Sequence, residues 1–379
     1  MKMVQKLLIA LISGLIIFFI WGSYKNFRIK PNGVFTLPSS FVKKQHIFDE
    51  ANILSNYDIQ KFEEYTNYIF NESDIDIRFV FVSDTGDKTI EELALDKMQQ
   101  LGIGGENKEE RGVLLLYDLK EKRLRIEVGY GLEEYFPDGF VSYLVHGHTK
   151  DFFSTGNITM GLRLLIRMLH QRIRQEILGN SFDPKVVELI SRQGYLSGGA
   201  GVSASIPKKE LDAGIQQKSI SDEERKGYSP QATPEAVYLK YIAWLIAGYY
   251  NPEINIFTTE SQQYLASLPM TKAYFHYILM QEYGRKYSIS IRDNVALLYF
   301  INDPLVSPHF FIKGERGWQM DIVAEVRNTK EIVGGIYTWD YKGQNDIYTK
   351  TFVDKLVNIK NYIRIMDGDN RELPVRRTS

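Results

Sequence analysis

A small α/β sandwich followed by an α+β domain is the fold class this sequence predicts, and three observations lead there. A continuous apolar run, Gly112-Val113-Leu114-Leu115-Leu116-Tyr117-Asp118, is joined by the charged link Lys120-Glu121-Lys122-Arg123 to an alternating run over 125–133. The first limb reads as a strand buried on both faces and the second as a half-exposed strand, so the two form a hairpin. Upstream, helical and strand patterns alternate, which leaves room for a crossover helix between parallel strands. Beyond about residue 233 helical patterns come first and strand patterns follow, the α+β order.

Taken in order, the chain opens with Lys2 and Lys6 and then an apolar stretch over 7–21, broken only by Ser13 and Gly14. At ~1.5 Å rise per residue that stretch reaches roughly 23 Å, slightly short of a bilayer, so it reads as a signal peptide or a short anchor. No small-x-small cleavage pattern follows, which favours a retained membrane anchor over residues 1–24. Positive charge is nearly balanced across it, and the expectation is that the remaining chain is extracytoplasmic, in a periplasm-like space.

Ser55, with Asp58 three residues on, caps a helix whose apolar face carries Ile59, Phe62, Tyr65, Ile69 and Phe70. Residues 75–82 read as an inner strand, Gly86 turns the chain, and Ile90, Leu93, Ala94, Met98 and Leu101 mark a second helix stopped at Gly102-Ile103-Gly104-Gly105. After the hairpin and Pro137-Asp138 come a helix-like stretch over 140–153 and a helix bearing Leu162, Leu165, Ile166, Leu169, Ile173 and Ile177, placed to cover one sheet face. These elements bound a first domain at 45–178. Residues 194–232 are small, polar and charged and read as a linker. Thr233-Pro234-Glu235 then opens an accessory domain over 233–379, with strands expected at 288–292, 295–301, 310–313 and 318–326.

At 379 residues and 44% apolar content the chain can bury two cores. A formal net charge of −1 leaves no domain-scale basic field and argues against nucleic acid as a partner, although Arg163, Arg167, Arg172 and Arg174 make a local basic face on one helix. Without cysteine there is no disulfide, thiol chemistry or Cys-ligated zinc.

Asp49-x-Ala51-x-x-Leu54-Ser55, Gly102-Ile103-Gly104, Gly112-Val113-Leu114-Leu115-Leu116, Arg125-Ile126-Glu127-Val128-Gly129-Tyr130-Gly131-Leu132-Glu133 and Pro137-Asp138 occur in the order and spacing of the TPM-domain family, which includes thylakoid lumen phosphatase-like and photosystem II repair-like proteins. The chain resembles that family over about residues 45–178. The resemblance implies an α/β/α sandwich, often membrane-tethered outside the cytoplasm, with divalent-cation binding and acid phosphatase activity proposed for some members. The family pattern places an acidic residue and an asparagine before the Gly-Val-Leu strand, where this chain has Glu110-Arg111. A guanidinium there neutralises the carboxylates it joins. More loosely, the helical opening at 233 and the run Phe310-Phe311-Ile312-Lys313-Gly314-Glu315-Arg316-Gly317-Trp318 resemble the nuclear-transport-factor-like α+β barrels.

The open end of the hairpin is the first place to look for a site. Gly112, Gly129 and Gly131 let backbone come close there, and Glu109, Glu110, Glu133, Glu134 and Asp138 make it acidic. Asp49, Glu110, Glu133 and Asp138 are the candidate metal ligands, hard oxygens suited to calcium or magnesium, set against the plainer role of capping helices and solvating strand ends. Asp84 and Asp118 mark the opposite rim, where open α/β sheets often bind ligands. His146-Gly147-His148 is the one paired histidine motif and lacks a third ligand nearby in sequence. No phosphate-cradling glycine loop with its lysine and no Ser/His/Asp signature is present, so catalysis rests on the resemblance alone. The expected role is binding a protein partner in the assembly or maintenance of a membrane complex; the alternative is a metal-dependent acid phosphatase.

Overall fold

The computed structural model describes residues 42–104, 110–190, 201–207, 221–248, 252–268, 272–301, 306–331, 337–341, 346–352, 356–359, 362–366 and 372–377. The expected anchor at 1–24 lies outside them. Among the described residues no helix is long and apolar enough to cross a membrane. Lys43–Ser379 form one compact unit.

The first sheet has five strands in sequence order, β1 (Ile47–Asp49), β2 (Asp76–Val82), β3 (Gly112–Asp118), β4 (Arg123–Val128) and β5 (Gly201–Ser205). β1, β2 and β3 are parallel, and β4 and β5 are added antiparallel. Every residue of β2 and β3 is buried. Ile77, Phe79, Phe81, Val113, Leu115 and Tyr117 belong to one core, whereas Val80, Val82, Leu114 and Leu116 belong to another. Helices α1 (Asn56–Ser73) and α2 (Ile90–Gln100) cover opposite faces, α1 through Phe62, Tyr65 and Ile69, α2 through Ile90 and Ala94. The result is the expected α/β/α sandwich. Capping explains where the helices start. The Ser55 hydroxyl accepts from the Asp58 amide at 3.1 Å, and Thr89 with Glu92 closes a capping box on α2.

After the hairpin, α3 (Asp138–Tyr143) runs through a π-helical turn, Leu144–Thr149, into α4 (Lys150–Ser154), and α5 (Ile158–Ile177) packs beside α1 on the same face of the sheet. α6 (Lys185–Ile190) follows. Within the stretch read as a linker, Gly201–Ser205 forms β5 and pairs with β4. Pairing in register with β4 overrides the lack of apolar periodicity in that stretch.

The C-terminal region contains α7 (Asp222–Gly227), α8 (Pro234–Ala247), α9 (Thr259–Ala266) and α10 (Lys272–Glu282). Next comes an antiparallel meander of β6 (Tyr287–Arg292), β7 (Val295–Phe300), β8 (His309–Gly314) and β9 (Gly317–Met320). Thr233 caps α8 with Pro234 in its first turn, as its sequence requires. The strand expected over 318–326 stops at Met320. Asp321 turns the chain into α11 (Ile322–Asn328), its carboxylate accepting from the Ala324 amide at 3.0 Å. Beyond it β10 (Thr329–Glu331), β11 (Tyr337–Tyr341), α12 (Ile347–Thr351), β12 (Leu356–Ile359), β13 (Tyr362–Met366) and β14 (Glu372–Arg377) include a third sheet, ordered β10-β11-β14-β13-β12. A single apolar cluster runs from Ile47 in β1 to Met320 in β9. α10 takes part on both sides: the Tyr277 ring lies tilted beside His148 of the π turn, and Phe275 packs edge-on against Trp244 of α8.

Gly129 shows how closely the hairpin mouth is built, because a Cβ there would lie 1.9 Å from the Glu110 carbonyl oxygen. Neither backbone segment can yield cheaply, since Gly129 also donates to the Gly112 carbonyl at 2.8 Å. Gly129→Ala is therefore expected to lower stability by about 2 kcal/mol, within the usual range for overpacking. The control is Gly139→Ala in α3, where a Cβ meets open space, and it should be neutral or slightly stabilising in the same urea titration.

Candidate functional site

The mouth of the hairpin is assembled from three backbone segments. The Arg111 amide donates to the Gly104 carbonyl at 2.9 Å, and the Asp76 amide donates to the Arg111 carbonyl at 3.0 Å. These bonds seat the Gly104 and Arg111 backbone beside β2 and β3, and Glu110 adopts φ +53°, an uncommon conformation for a residue with a side chain. On the other limb the short turn Tyr130–Leu132 contains Gly131 and is pinned by fully buried Leu132. That turn leaves Tyr130 70% exposed. Glu110, Glu133, Glu134 and Asp138 are exposed around it, and Glu109 lies outside the described residues.

The four candidate ligands have individual surroundings that differ. Asp49 spends both carboxylate oxygens on its own loop, accepting from the Ile53 amide at 3.1 Å and the Leu54 amide at 2.8 Å. Asp138 sits in the first turn of α3, where a carboxylate is favoured by the helix dipole. Glu110 and Glu133 stand in solvent. Among the described residues no group of three or more His, Asp or Glu side chains is gathered to hold a metal ion.

Arg111 points elsewhere. Its guanidinium donates to the Ser73 carbonyl at 3.0 Å, at the last residue of α1, and lies 5.2 Å from the centre of the Tyr135 ring. A cation at a helix C-terminus satisfies an orphan carbonyl and opposes the negative end of the helix dipole. Arg111 thus ties α1 to the segment after the hairpin.

Other motifs also resolve into structural roles. Asp84 is paired with Lys120, whose hydrogen bond holds its carboxyl below the usual range, and Asp118 closes the hairpin turn by accepting from the Lys120 and Glu121 amides at 2.9 and 3.1 Å. His148 is buried in the π turn and donates from Nε2 to the Gly161 carbonyl at 2.8 Å, and burial pushes its imidazole down to about 4. The expected basic face on α5 is not a surface, because Arg167 and Arg172 are both buried. Arg172 donates to the carbonyls of Tyr135 and Asn180 and pairs with Glu176.

Sequence reasoning passed over a second cluster. His309, at the start of β8, lies between Glu282 at the end of α10 and Glu325 on α11, with each ring nitrogen 3.0 Å from a carboxylate oxygen. The three side chains are 3%, 7% and 15% exposed. Burial alone would depress the imidazole, but the charges and hydrogen bonds of the two glutamates outweigh it and hold His309 up at about 10. A titratable residue beside each of two apolar stretches, Glu282 two residues after Tyr277-Ile278-Leu279-Met280 and His309 before Phe310-Phe311, was the available signal.

With this geometry in view, the comparisons with known proteins are specific for one segment. A family model described as TPM domain matches residues 47–172. This segment is a TPM domain. No curated protein matches the chain. Among solved structures, the solution structure of the N-terminal domain of a P. gingivalis protein is 29% identical, covering 37% of this chain and 88% of that one, with a TM-score of 0.33. The TPM match spans β1 to most of α5 and so contains the whole hairpin mouth, whereas β5, which completes the sheet, lies beyond it.

Replacing Arg111 by Asn removes the contacts to Ser73 and Tyr135 and is expected to destabilise the TPM domain by about 1–2 kcal/mol, the sum of a helix-terminus charge and a half-buried cation–π contact. Urea denaturation checks this; an unchanged midpoint would show that the two contacts contribute nothing.

Proposed function

We propose that this protein is a membrane-anchored, extracytoplasmic binding factor for the assembly or maintenance of a membrane protein complex, and that the hairpin mouth of its TPM domain is the contact surface. The observation that supports this reading is Tyr130, an aromatic side chain 70% exposed on a turn whose backbone is fixed by Gly129 and Leu132. A rigidly presented tyrosine gives large contact area for little entropy loss, and such residues dominate binding energy at interfaces. Glu133, Glu134 and Asp138 follow that turn in the chain and are exposed, as is Glu110, whose backbone lies against Gly129, so the turn has an acidic setting. The engagement of Asp49 in closing its loop and of Arg111 at the end of α1 supports binding rather than cation-dependent hydrolysis. The helical opening and four-stranded meander of the C-terminal region are compatible with the proposed likeness to nuclear-transport-factor-like barrels.

A photo-crosslinking residue placed at position 130 of the full chain in native membranes should capture a discrete membrane-protein partner, and one at position 84 on the opposite rim should not. Tyr130→Ala should weaken the captured interaction by about 2 kcal/mol, roughly 30-fold in affinity. Equal crosslinking from both rims would overturn the assignment. Release of phosphate from para-nitrophenyl phosphate at acid pH with added calcium or magnesium, abolished by Glu133→Gln or Asp138→Asn, would establish the phosphatase reading in its place.

A further inference from the structure

Helix α10 joins the two halves of the fold, and its C-terminal end is held by an unusual set of charges. One face of α10 meets the TPM domain. Tyr277 lies under the Arg167 guanidinium at 5.9 Å and beside His148, and the Gln281 carbonyl accepts from the Gln171 side chain of α5 at 3.2 Å. The next residue, Glu282, faces the other way and hydrogen-bonds His309, which bonds Glu325 in turn. Four elements therefore converge on one imidazole or its neighbours: β8 supplies His309, α10 supplies Glu282, α11 supplies Glu325, and α8 supplies the rings of Tyr238 and Tyr241 at 5.7 and 5.3 Å. β7 adds the Phe300 ring at 5.9 Å and no charge. The two tyrosines stay neutral, since burial raises both phenols above their ordinary range.

The proton count follows from the geometry. A neutral imidazole donates from one nitrogen only, and here both nitrogens face carboxylate oxygens at 3.0 Å. The chain of three groups closes only if it holds one proton more than a neutral histidine and two carboxylates. Without that proton, two buried carboxylates share one donor, and one of them is left as an uncompensated buried charge.

We propose that Glu282–His309–Glu325 is a proton-held latch that fixes the C-terminal end of α10 and, through it, the contact between the TPM domain and the C-terminal region. With the proton in place Glu282 is drawn toward β8 and α11, and Gln281 and Tyr277 stay seated on α5 and the π turn. When the proton leaves, that end of α10 opens. The direction in pH is set by the shift at His309. Its folded value of about 10 lies above that of an exposed histidine, so the stabilisation is complete below about pH 6.5 and is lost as pH rises through about 10. Burial pushes the Glu282 carboxyl up as well, against the pull of His309, and only stronger acid, by protonating it, removes one of the two charges that hold the His309 proton. The C-terminal region should thus resist mild acid and yield to alkali.

Hydrogen exchange of the full chain in detergent, corrected for intrinsic exchange rates, tests this. Protection of peptides covering 272–282 should fall at least tenfold between about pH 7 and pH 9, while peptides covering β2 and β3 keep theirs. Glu325→Gln removes one of the two charges holding the proton and should move that fall to lower pH. Should this variant fail to fold, the wild-type chain still decides the matter. With ¹³C-labelled histidine, His309 should keep its imidazolium resonance at pH 8, where His46, His146, His148 and His276, all pushed down by burial, are neutral. A neutral His309 at pH 7, or loss of 272–282 protection only in step with β2 and β3, would overturn the proposal.

Discussion

Burial of β2 and β3 on both faces is the constraint from which the rest of the structure follows. Fourteen consecutive-strand positions, all of Asp76–Val82 and Gly112–Asp118, are withdrawn from water, so neither face of the sheet can be left open. Phe79 and Phe81 on one side each add about 1.5–3 kcal/mol when removed from solvent. That gain is realised only if α1 and α5 cover them, and the gain from Val80, Leu114 and Leu116 only if α2 covers the other face. Parallel strands require this arrangement in any case, because the crossover between them must run over a face. The hairpin is antiparallel at the edge of this core, and β4 departs from two-sided burial: Leu124, Ile126 and Val128 face the core with α5, while Arg125 and Glu127 pair with one another on the other side.

Those features were legible because they are periodic. The run from Val113 to Tyr117 and the alternation after Arg125 specify strand type and facing without any partner being known. Ser55 with Asp58 and Thr233 with Pro234 announce helix starts by local hydrogen bonding alone. β1 and β5 were not legible for the opposite reason. Three residues are too few to show a period, and Gly201-Val202-Ser203-Ala204-Ser205 becomes a strand only because β4 offers it a ladder from far along the chain. The strand wrongly extended past Met320 failed on a single cap: the apolar residues after Asp321 suit either structure, and the Asp321 carboxylate decides for helix.

The site followed the same division. Sequence located the mouth of the hairpin and its close backbone contacts, since Gly112 and Gly129 have little other reason to stand there. What it could not supply was the direction of side chains whose partners are remote. Arg111 reaches Ser73, 38 residues earlier, and His309 reaches Glu282, 27 residues earlier, and Glu325, 16 residues later. Asp49 reads as a candidate ligand from its charge, and its two amide donors, at Ile53 and Leu54, add a loop-closing role that charge alone does not announce. Among the buried charges, Asp76–Arg78 and Arg125–Glu127 each pair within one strand, whereas Glu282–His309–Glu325 ties α10, β8 and α11 to one another.

β5 has a bearing on how the polypeptide can be divided. The ladder of β4 is completed by residues 201–205, and the Ser203 hydroxyl joins Arg125 to Glu91 across it. During synthesis the sheet is therefore left with a bare margin until some seventy further residues have emerged. A fragment ended at residue 172 keeps that margin permanently, with the amide and carbonyl groups of Arg123–Val128 facing outward as a template for another chain. The boundary at which family likeness ends is thus not the boundary at which the sheet becomes safe from self-association. The chain beyond α6 protects the sandwich as much as it extends it.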